Sequence, residues 1–219
     1  MKKTNQDNVF LNYEGDNWYK RNRKSLKTDN DLPMYLLDIY NIKPQKVLEI
    51  GASNGYRLAE IHKKYGSEVH GVEPSLQALN EGMNLFPGIK FKNTTAEKMK
   101  YKKDYFDLII LYSVLHWIDR ETLLLSISNI DRYLRWDGHI IIGDFQVPYP
   151  IKRRYHHIEK QNIYTYKIDY KNIFISTGKY KSISDISINH DVKSFTSNTN
   201  IHNYFRVSLL KKEDMYLEI

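Results

Sequence analysis

Apolar residues along the chain fall into two kinds of segment that alternate. Short apolar runs of strand length are separated by stretches in which apolar residues recur at helical spacing, as Leu58, Ile61 and Tyr65 do. Strand and helix alternate five times, which predicts an α/β fold with a doubly wound, mostly parallel sheet between helices. The predicted strands lie within residues 46–50, 67–75, 88–94, 104–118 and 138–145, and the predicted helices cover residues 32–40, 56–66, 75–86 and 121–135.

The two ends of the chain depart from this alternation. Residues 1–31 are polar and charged, and we expect an N-terminal lid or arm there rather than a core element. Residues 32–219 are expected to form one domain, interrupted by a polar insertion at about 146–182 that is rich in His, Tyr and Lys. After the insertion, residues 182–192 and 202–212 alternate like two strands, which predicts a C-terminal antiparallel hairpin.

The amino-acid composition excludes several kinds of chemical site. The chain has no cysteine, which excludes disulfides, a thiol nucleophile and a cysteine-ligated metal, and we expect no metal site. No apolar run approaches the roughly 18 residues of a membrane span. The first residues, MKKTNQDN, lack the apolar stretch of a signal peptide, so we expect a cytoplasmic protein that does not engage a membrane.

The formal net charge is +7, but the basic residues stand in scattered clusters at 20–24, 98–103 and 151–154. This scatter favours solvation or attraction of an anionic small molecule over a nucleic-acid footprint, so we expect nucleic acid not to be the partner.

The first strand leads into a turn that contains two glycines. In VLEIGASNGYRL, at residues 47–58, Gly51 and Gly55 separate the strand from the helix, and Glu49 stands just before them. Such glycines either make a tight turn or let a ligand approach the backbone. Glu73 ends the second strand, where a carboxylate is expected to accept hydrogen bonds from ribose hydroxyls and to repel a ribose phosphate.

Four segments in order resemble the class I S-adenosylmethionine-dependent methyltransferases. They are VLEIGASNG, GVEPS, TAEKM at 95–99 and FDLIILYSVLHWID, and the resemblance covers about residues 44–145. It implies a seven-stranded Rossmann-like methyltransferase fold and S-adenosylmethionine as cofactor. NAD-binding Rossmann proteins are the rival family, although they usually carry a third glycine where Ser53 stands.

The resemblance also implies roles for single residues. Gly51 and Gly55 make room for the methionine moiety and ribose, and Glu49 lies near the methionine amino group. Glu73 binds the ribose hydroxyls, and Glu97 accepts from the adenine amine. Tyr112, Ser113 and His116 line the side that faces the methyl group. The expected cofactor-binding residues are Glu49, Gly51, Ser53, Gly55, Glu73, Pro74, Ala96, Glu97 and Tyr112, with Trp18 and Tyr19 of the arm stacking on the ligand.

Methyl transfer is an in-line displacement, so the protein aligns the acceptor and, for an oxygen or amine acceptor, removes its proton. Histidine suits that task because it titrates near neutrality. The candidate bases are His156 and His157 in the insertion and His116 in the fourth-strand segment. The expected substrate-binding residues are Asp144, which could also orient a histidine, and the basic residues Arg153, Arg154 and Lys167, with Arg21 of the arm.

The fourth-strand segment reads YSVLHW and lacks the Asp/Asn-Pro-Pro-aromatic signature of amino-methylating enzymes that act on bases. We therefore predict an O-methyltransferase for a small polar, anionic acceptor. The similarity to bacterial enzymes of surface-polysaccharide modification suggests a nucleotide-linked or phosphorylated sugar. An RNA methyltransferase and a non-catalytic, cofactor-binding partner protein are the alternatives. The sequence makes no prediction of the oligomeric state.

Overall fold

A large, mostly parallel sheet organises the protein. The computed structural model describes residues 5–158, 161–192, 194–197 and 200–218. The strands are β1 (Lys46–Ile50), β2 (Glu68–Glu73), β3 (Lys90–Asn93), β4 (Phe106–Tyr112), β5 (Leu134–Phe145), β6 (Ile151–Arg154), β7 (Tyr164–Lys167), β8 (Tyr180–Asn189), β9 (Ser194–Phe195) and β10 (Tyr204–Lys212).

The helices flank this sheet. They are α1 (Gln6–Val9), α2 (Gly15–Asn22), α3 (Leu32–Ile39), α4 (Tyr56–Tyr65), α5 (Leu76–Leu85), α6 (Leu123–Tyr133) and α7 (Lys171–Ile175), with a π-helical turn at Phe10–Glu14 and a short 3₁₀ turn at Arg23–Ser25. In the part of the chain described here, no helix is long and apolar enough to cross a membrane.

The sheet order confirms the predicted fold class. Its eight strands run β3-β2-β1-β4-β5-β10-β8-β9, with β3 to β5 parallel and β10 inserted antiparallel between β5 and β8. Seven of these strands form the expected sheet and C-terminal hairpin, and the eighth, β9, is a two-residue strand at the edge. The strand order reverses between β1 and β4, and that switch point is where ligands bind in such sheets.

The strands are buried on both faces because their side chains alternate between two apolar clusters. Leu48 and Ile109 face one cluster, which α6 covers, while Val47 and Leu108 face the other, which α3 and α4 cover. This double burial explains why β1, β4 and β5 appear in the sequence as nearly continuous apolar runs.

Local signals explain several helix ends. The Asp31 side chain caps α3 by accepting a hydrogen bond from the Met34 amide at 3.1 Å, and Pro33 fits the first turn. Ser75 caps α5 by accepting from the Ala78 amide at 3.0 Å. The αL conformation of Gly66 ends α4.

Two boundaries differ from the prediction. The helix predicted over 121–135 ends at Tyr133, and β5 begins at once at Leu134, so Trp136 and Gly138 lie within the strand. Asp137 takes a positive φ of 61°, and the pairing of β5 with β4 shifts register at this point, which indicates a bulge. The apolar pattern did not reveal this start of the strand because residues 135–137 are exposed.

The polar insertion contains a hairpin that the sequence did not predict. β6 and β7 pair antiparallel as a separate two-stranded sheet, with Arg153 opposite Thr165. Its outer strand carries basic residues rather than an alternation of apolar and polar ones, so a period of two is absent there.

Candidate active site

A cleft lies at the carboxyl ends of β1, β2 and β4, covered by the N-terminal helices; we call it the first cleft. Several expected cofactor residues line it: Trp18, Gly51, Glu73, Pro74, Ala96, Glu97 and Tyr112, with Ser113 beside them. Four others, Tyr19, Glu49, Ser53 and Gly55, lie behind this lining. Asp7, Phe10, Gly15, Thr94, Thr95, Val114 and Trp117 are lining residues that the sequence had not singled out.

Glu73 is a buried carboxylate held in a fixed orientation. One of its oxygens accepts a hydrogen bond from the Ser75 amide and the other from the Ser53 amide, both at 2.8 Å. Burial raises the pKa of Glu73 to about 7, although these two bonds favour the ionised form. A carboxylate has about four acceptor positions, so two remain for donors from a ligand.

The turn between β1 and α4 uses its glycines in two different ways. Gly51 lines the cleft at a φ of +72°, and a side chain there would collide with Val114. Gly55 has a φ of +78°, and a side chain there would meet Ile89 and Phe91 at 2.6 Å. The first glycine therefore shapes the cleft, while the second permits helix and strand to pack.

Ser53 lies between these glycines, also at a positive φ, and its amide orients Glu73. Its buried hydroxyl has no hydrogen-bond partner among the described residues.

Glu49 points away from the first cleft into a buried ionic cluster. Its Oε1 pairs with Arg57, whose Nε also donates to Asp31 at 2.9 and 3.0 Å. Burial raises the pKa of Glu49 to about 7, opposed by the charge of Arg57. The observed partner of Glu49 is thus a side chain of the protein. Arg57 and Asp31 were not predicted, because nothing in their sequence spacing marks a buried pair.

Two neighbouring acidic side chains, Glu97 and Asp7, line the first cleft. Glu97, whose side chain is 7% exposed, has a buried Oε2 without a partner among the described residues. Asp7 of α1 accepts from the Asp119 amide at 2.9 Å and from the Thr122 hydroxyl. Burial raises the pKa of Asp7, and the nearby charge of Glu97 adds to the effect. No sequence pattern marked Asp7, because it lies in a short polar helix.

The N-terminal segment is fastened over the sheet by specific polar contacts. Gln6 bonds the Trp117 carbonyl and exchanges two hydrogen bonds with the backbone of Tyr164. Asp16 accepts from the Ser75 hydroxyl at 2.7 Å, which brings α2 close to Glu73. Gly15 allows this approach, since a side chain there would lie 3.0 Å from the Ser75 amide nitrogen. Tyr19, expected to stack on the ligand, is instead buried beneath α2 at 2% exposure.

A second cleft adjoins the first and is rich in cationic side chains. Its lining includes the candidate bases His116, His156 and His157 and the predicted basic residues Arg21, Arg153, Arg154 and Lys167. Further lining residues are Trp18, Asn22, Trp117, Phe145, Tyr155, Thr165, His190, Asp191 and His202. The sequence did not indicate His190, Asp191 or His202, which reach this site from the loops at the ends of β8 and β10.

His116 and Asp144 form a buried pair at the edge of the second cleft. The His116 Nδ1 lies 2.8 Å from Asp144 Oδ1, and Asp144 also accepts from the amides of His116 and Phe145. With those amide donors, Asp144 acts as an acceptor, so His116 Nδ1 carries the hydrogen and Nε2 keeps its lone pair. This arrangement is that of an oriented general base. Asp144 thus contacts the histidine directly.

Lys167 is a buried cation, 5% exposed, in the wall of the second cleft. Its Nζ donates to the His202 carbonyl at 2.9 Å and lies 3.8 Å from the centre of the Phe145 ring. Burial lowers the pKa of Lys167, and the charge of Arg153 lowers it further.

The other candidate bases are more open. His156 and His157 are exposed side chains whose rings lie 3.9 Å apart. Desolvation lowers the pKa of His157, and Arg21 and His156 add to this effect through their charges. Among the residues that the structure describes, neither histidine contacts a buried carboxylate as His116 contacts Asp144.

The residues of the first cleft fit S-adenosylmethionine. Glu73 offers free acceptor positions for ribose hydroxyls, and the unpartnered Glu97 Oε2 suits an adenine amine. Gly51 lets the backbone turn at the wall of the cleft, where the Val114 side chain fills the position that a Cβ would take. Among the described residues, no group of three or more His, Asp or Glu side chains is placed to hold a metal ion.

Residues 47–138 match the model of a family described as a methyltransferase domain. A search of curated protein sequences finds no match. The match confirms the predicted enzyme class, an S-adenosylmethionine-dependent methyltransferase, and S-adenosylmethionine as its cofactor.

Solved structures of methyltransferases share the fold at low sequence identity. One is the 1,6-didemethyltoxoflavin-N1-methyltransferase of Burkholderia thailandensis with bound S-adenosylhomocysteine, with a TM-score of 0.73 and 13% identity over 98% of this chain and 92% of that one. Another is the N-methyltransferase NodS of Bradyrhizobium japonicum, with a TM-score of 0.60 and 14% identity over 95% and 99%. The O-MT segment of StiE has a TM-score of 0.61 and 14% identity over 84% and 75%.

Proposed function

We propose that the protein is a cytoplasmic O-methyltransferase that methylates a small, polar, anionic acceptor bound in the second cleft. A nucleotide-linked or phosphorylated sugar unit has the required chemistry. The observation that carries the proposal is the composition of this cleft, where an oriented histidine lies among arginine and lysine side chains beside the cofactor cleft.

When bound, S-adenosylmethionine supplies an electrophilic methyl group on a positively charged sulfur. The first cleft would hold it through Glu73 at the ribose and Glu97 at the adenine, with the turn at Gly51 forming part of the wall. These contacts fix the direction from which an acceptor must approach, which is the main requirement of an in-line displacement.

The second cleft would position the acceptor and remove its proton. Arg153 and Arg154 are exposed on β6 and can pair with a phosphate or carboxylate, and Lys167 adds a buried positive charge. The Nε2 of His116 would take the proton of the acceptor hydroxyl, while Asp144 stabilises the imidazolium that forms. We assign this role to His116 rather than to His156 or His157, because Asp144 holds His116 in the tautomer required of a base.

Oxygen is the proposed acceptor atom because a hydroxyl needs a base more than a neutral amine does, and the His116–Asp144 pair supplies one. The similar structures include both N- and O-methyltransferases, so the shared fold does not distinguish a nitrogen from an oxygen acceptor.

The function can be tested with S-adenosylmethionine that carries a tritiated methyl group. The protein is incubated with it and an extract of the organism that encodes the chain, and the extract is then fractionated by size and charge. The proposal predicts label in a small molecule that binds an anion exchanger. Label in a large, ribonuclease-sensitive fraction would favour the RNA alternative, and binding without transfer would favour the non-catalytic one.

The RNA alternative has a specific observation in its favour, which is the row of exposed arginines along the second cleft in a chain of net charge +7. RNA binding that falls steeply with added salt would support it, because each phosphate contact releases counterions.

A further inference from the structure

Two tryptophans stand at the boundary between the clefts. Among the described residues, Trp18 and Trp117 are the ones that line both the first and the second cleft. If the cofactor occupies the first cleft and the acceptor the second, as the proposed function has it, the transferred methyl group must cross where the two linings meet. The sulfur and its methyl group therefore lie next to these two indole rings.

Trp117 is fixed in position by its neighbours. Its ring lies 5.1 Å from that of Phe10, 4.7 Å from that of His116 and 4.7 Å from that of Tyr155. Its amide donates to the Val114 carbonyl at 2.9 Å, and its carbonyl accepts from Gln6. A ring so constrained loses little conformational freedom when a ligand binds.

Trp18 comes from the opposite side, on α2. Its carbonyl accepts from the Asn22 side chain at 2.8 Å. On one side of it, Asp16 fastens the helix to Ser75. On the other, Arg21 and Tyr155 both donate to the buried Glu14. The N-terminal segment thus brings a second indole to the place where Trp117 already stands.

The junction is aromatic rather than acidic. The acidic residues in the lining of the first cleft are Asp7, Glu73 and Glu97. Glu73 and Glu97 have fitted roles at the ribose and the adenine, and Asp7 accepts hydrogen bonds from the Asp119 amide and the Thr122 hydroxyl. A sulfonium is a cation with little hydration, and the face of an indole ring attracts such a cation. S-adenosylhomocysteine, the product, carries no charge on its sulfur and therefore lacks the charge-dependent attraction to the same ring faces.

We propose that Trp18 and Trp117 form an aromatic wall around the sulfonium and give the site a preference for the charged substrate over the neutral product. Methyl transfer itself removes the charge that the wall attracts, so the wall favours release of the product. This inference names residues that determine cofactor specificity and rests on the proposed placement of the two ligands.

The test compares the dissociation constants of S-adenosylmethionine and S-adenosylhomocysteine by calorimetry in the whole protein. In Trp18→Leu and Trp117→Leu, we expect the affinity for S-adenosylmethionine to fall by about 2- to 30-fold more than that for S-adenosylhomocysteine. Trp18→Phe should retain part of the preference, because its smaller ring still presents a π face. The matched control is Trp136→Leu, whose side chain on β5 is 47% exposed and outside both clefts.

Equal losses for the two ligands would overturn the proposal, because a merely structural tryptophan supports both equally. A ratio of the two dissociation constants that is the same as in the unaltered protein in both Trp18→Leu and Trp117→Leu would also overturn it. If Trp117→Leu does not fold, as judged by circular dichroism, the Trp18 variants decide the matter, since within the described ranges Trp117 packs against three aromatic rings and Trp18 against none. A wrong placement of the cofactor would give a different result. The unaltered protein would then bind neither ligand, or the Glu73→Ala variant would still bind both.

Discussion

The two clefts of this protein differ in the elements that form them and in the charge of their lining residues. The first is formed largely by the ends of buried parallel strands and the turns that follow them, and the acids Asp7, Glu73 and Glu97 are in its lining. The second is formed by the β6–β7 hairpin and by loops and helices at the ends of the chain, and its lining is dominated by arginine, lysine and histidine. Only the two tryptophans are common to both linings within the described residues.

The sheet and the peripheral segments are suited to two different ligands. A sheet positions side chains rigidly, which suits a ligand that every turnover uses in the same way. Peripheral segments can vary without disturbing the sheet, which suits the ligand that distinguishes one enzyme from another. We therefore expect variants of the first cleft to impair cofactor binding and variants of the second cleft to impair acceptor binding or methyl transfer.

The largest effect is expected for His116. Removing the base in His116→Ala should lower the rate of methyl transfer by about 10²- to 10⁴-fold. Binding of S-adenosylhomocysteine should change little, because the side chain lines the second cleft only. The rate is measured as tritium transferred to the labelled small molecule, beside the exposed control His62→Ala. A rate that persists in His116→Ala but is lost in His156→Ala or His157→Ala would reassign the base.

The second-largest effect is expected for Glu73 and concerns cofactor binding rather than methyl transfer. Glu73→Ala removes the acceptor of the ribose hydroxyls and should weaken binding of S-adenosylhomocysteine by about 100-fold, as expected for the loss of two hydrogen bonds to a charged group. Calorimetric titration measures it, with Glu60→Ala on the exposed face of α4 as the matched control. Wild-type affinity in Glu73→Ala would show that the cofactor binds elsewhere.

Much of the sheet and part of the first cleft could be predicted from the sequence. The apolar runs and the turn at Gly51 determine the sheet and the first cleft, because they depend on local patterns and short spacings. Glu73 was identifiable from its place at the end of a predicted strand. Glu49 has the same kind of position, yet it pairs with Arg57, since the direction of a side chain depends on packing that spacing does not encode.

The second cleft was less accessible to sequence analysis. His116, Arg153 and Lys167 were identified by residue type, but their convergence depends on β6 and β7, whose polar pairing leaves no apolar period. Asp7 reaches the first cleft from a segment that the pattern left without structure. His190 and His202 lie within the predicted strands 182–192 and 202–212, where the structure instead has loops. Contacts between residues more than a hundred positions apart, such as Gln6 with Tyr164, leave no trace in a local pattern.

A smaller effect is expected for the arginines. The double variant Arg153→Ala/Arg154→Ala should raise the KM for the anionic acceptor by about tenfold, since two exposed charge pairs each contribute on the order of 1 kcal/mol or less. The kcat and the affinity for S-adenosylhomocysteine should stay near the wild-type values. Lys152→Ala, the neighbouring exposed lysine outside the second cleft, is the control. A matching loss of cofactor affinity would contradict the separation of the clefts.

The smallest effect is a pH dependence of cofactor binding. Because the pKa of Glu73 is raised to about 7, protonation increases as the pH falls through 7 and removes the charged acceptor of the ribose. Affinity for S-adenosylhomocysteine should therefore rise with pH and level off above 7, by about threefold between pH 6.5 and 7.5. Calorimetry across this range measures it. In Glu73→Gln the slope should disappear, and a slope that remains would assign the titration to another group such as Glu49.

We expect the cofactor and the acceptor to occupy separate, oppositely charged clefts that meet at two tryptophans. This arrangement can be observed in a crystal structure of the protein grown with S-adenosylhomocysteine and inorganic phosphate. We expect ribose hydroxyls on Glu73, the sulfur beside Trp18 and Trp117, and phosphate near Arg153 and Lys167. A nucleoside lying along the β6–β7 hairpin, or a sulfur remote from both indole rings, would refute the two-cleft arrangement.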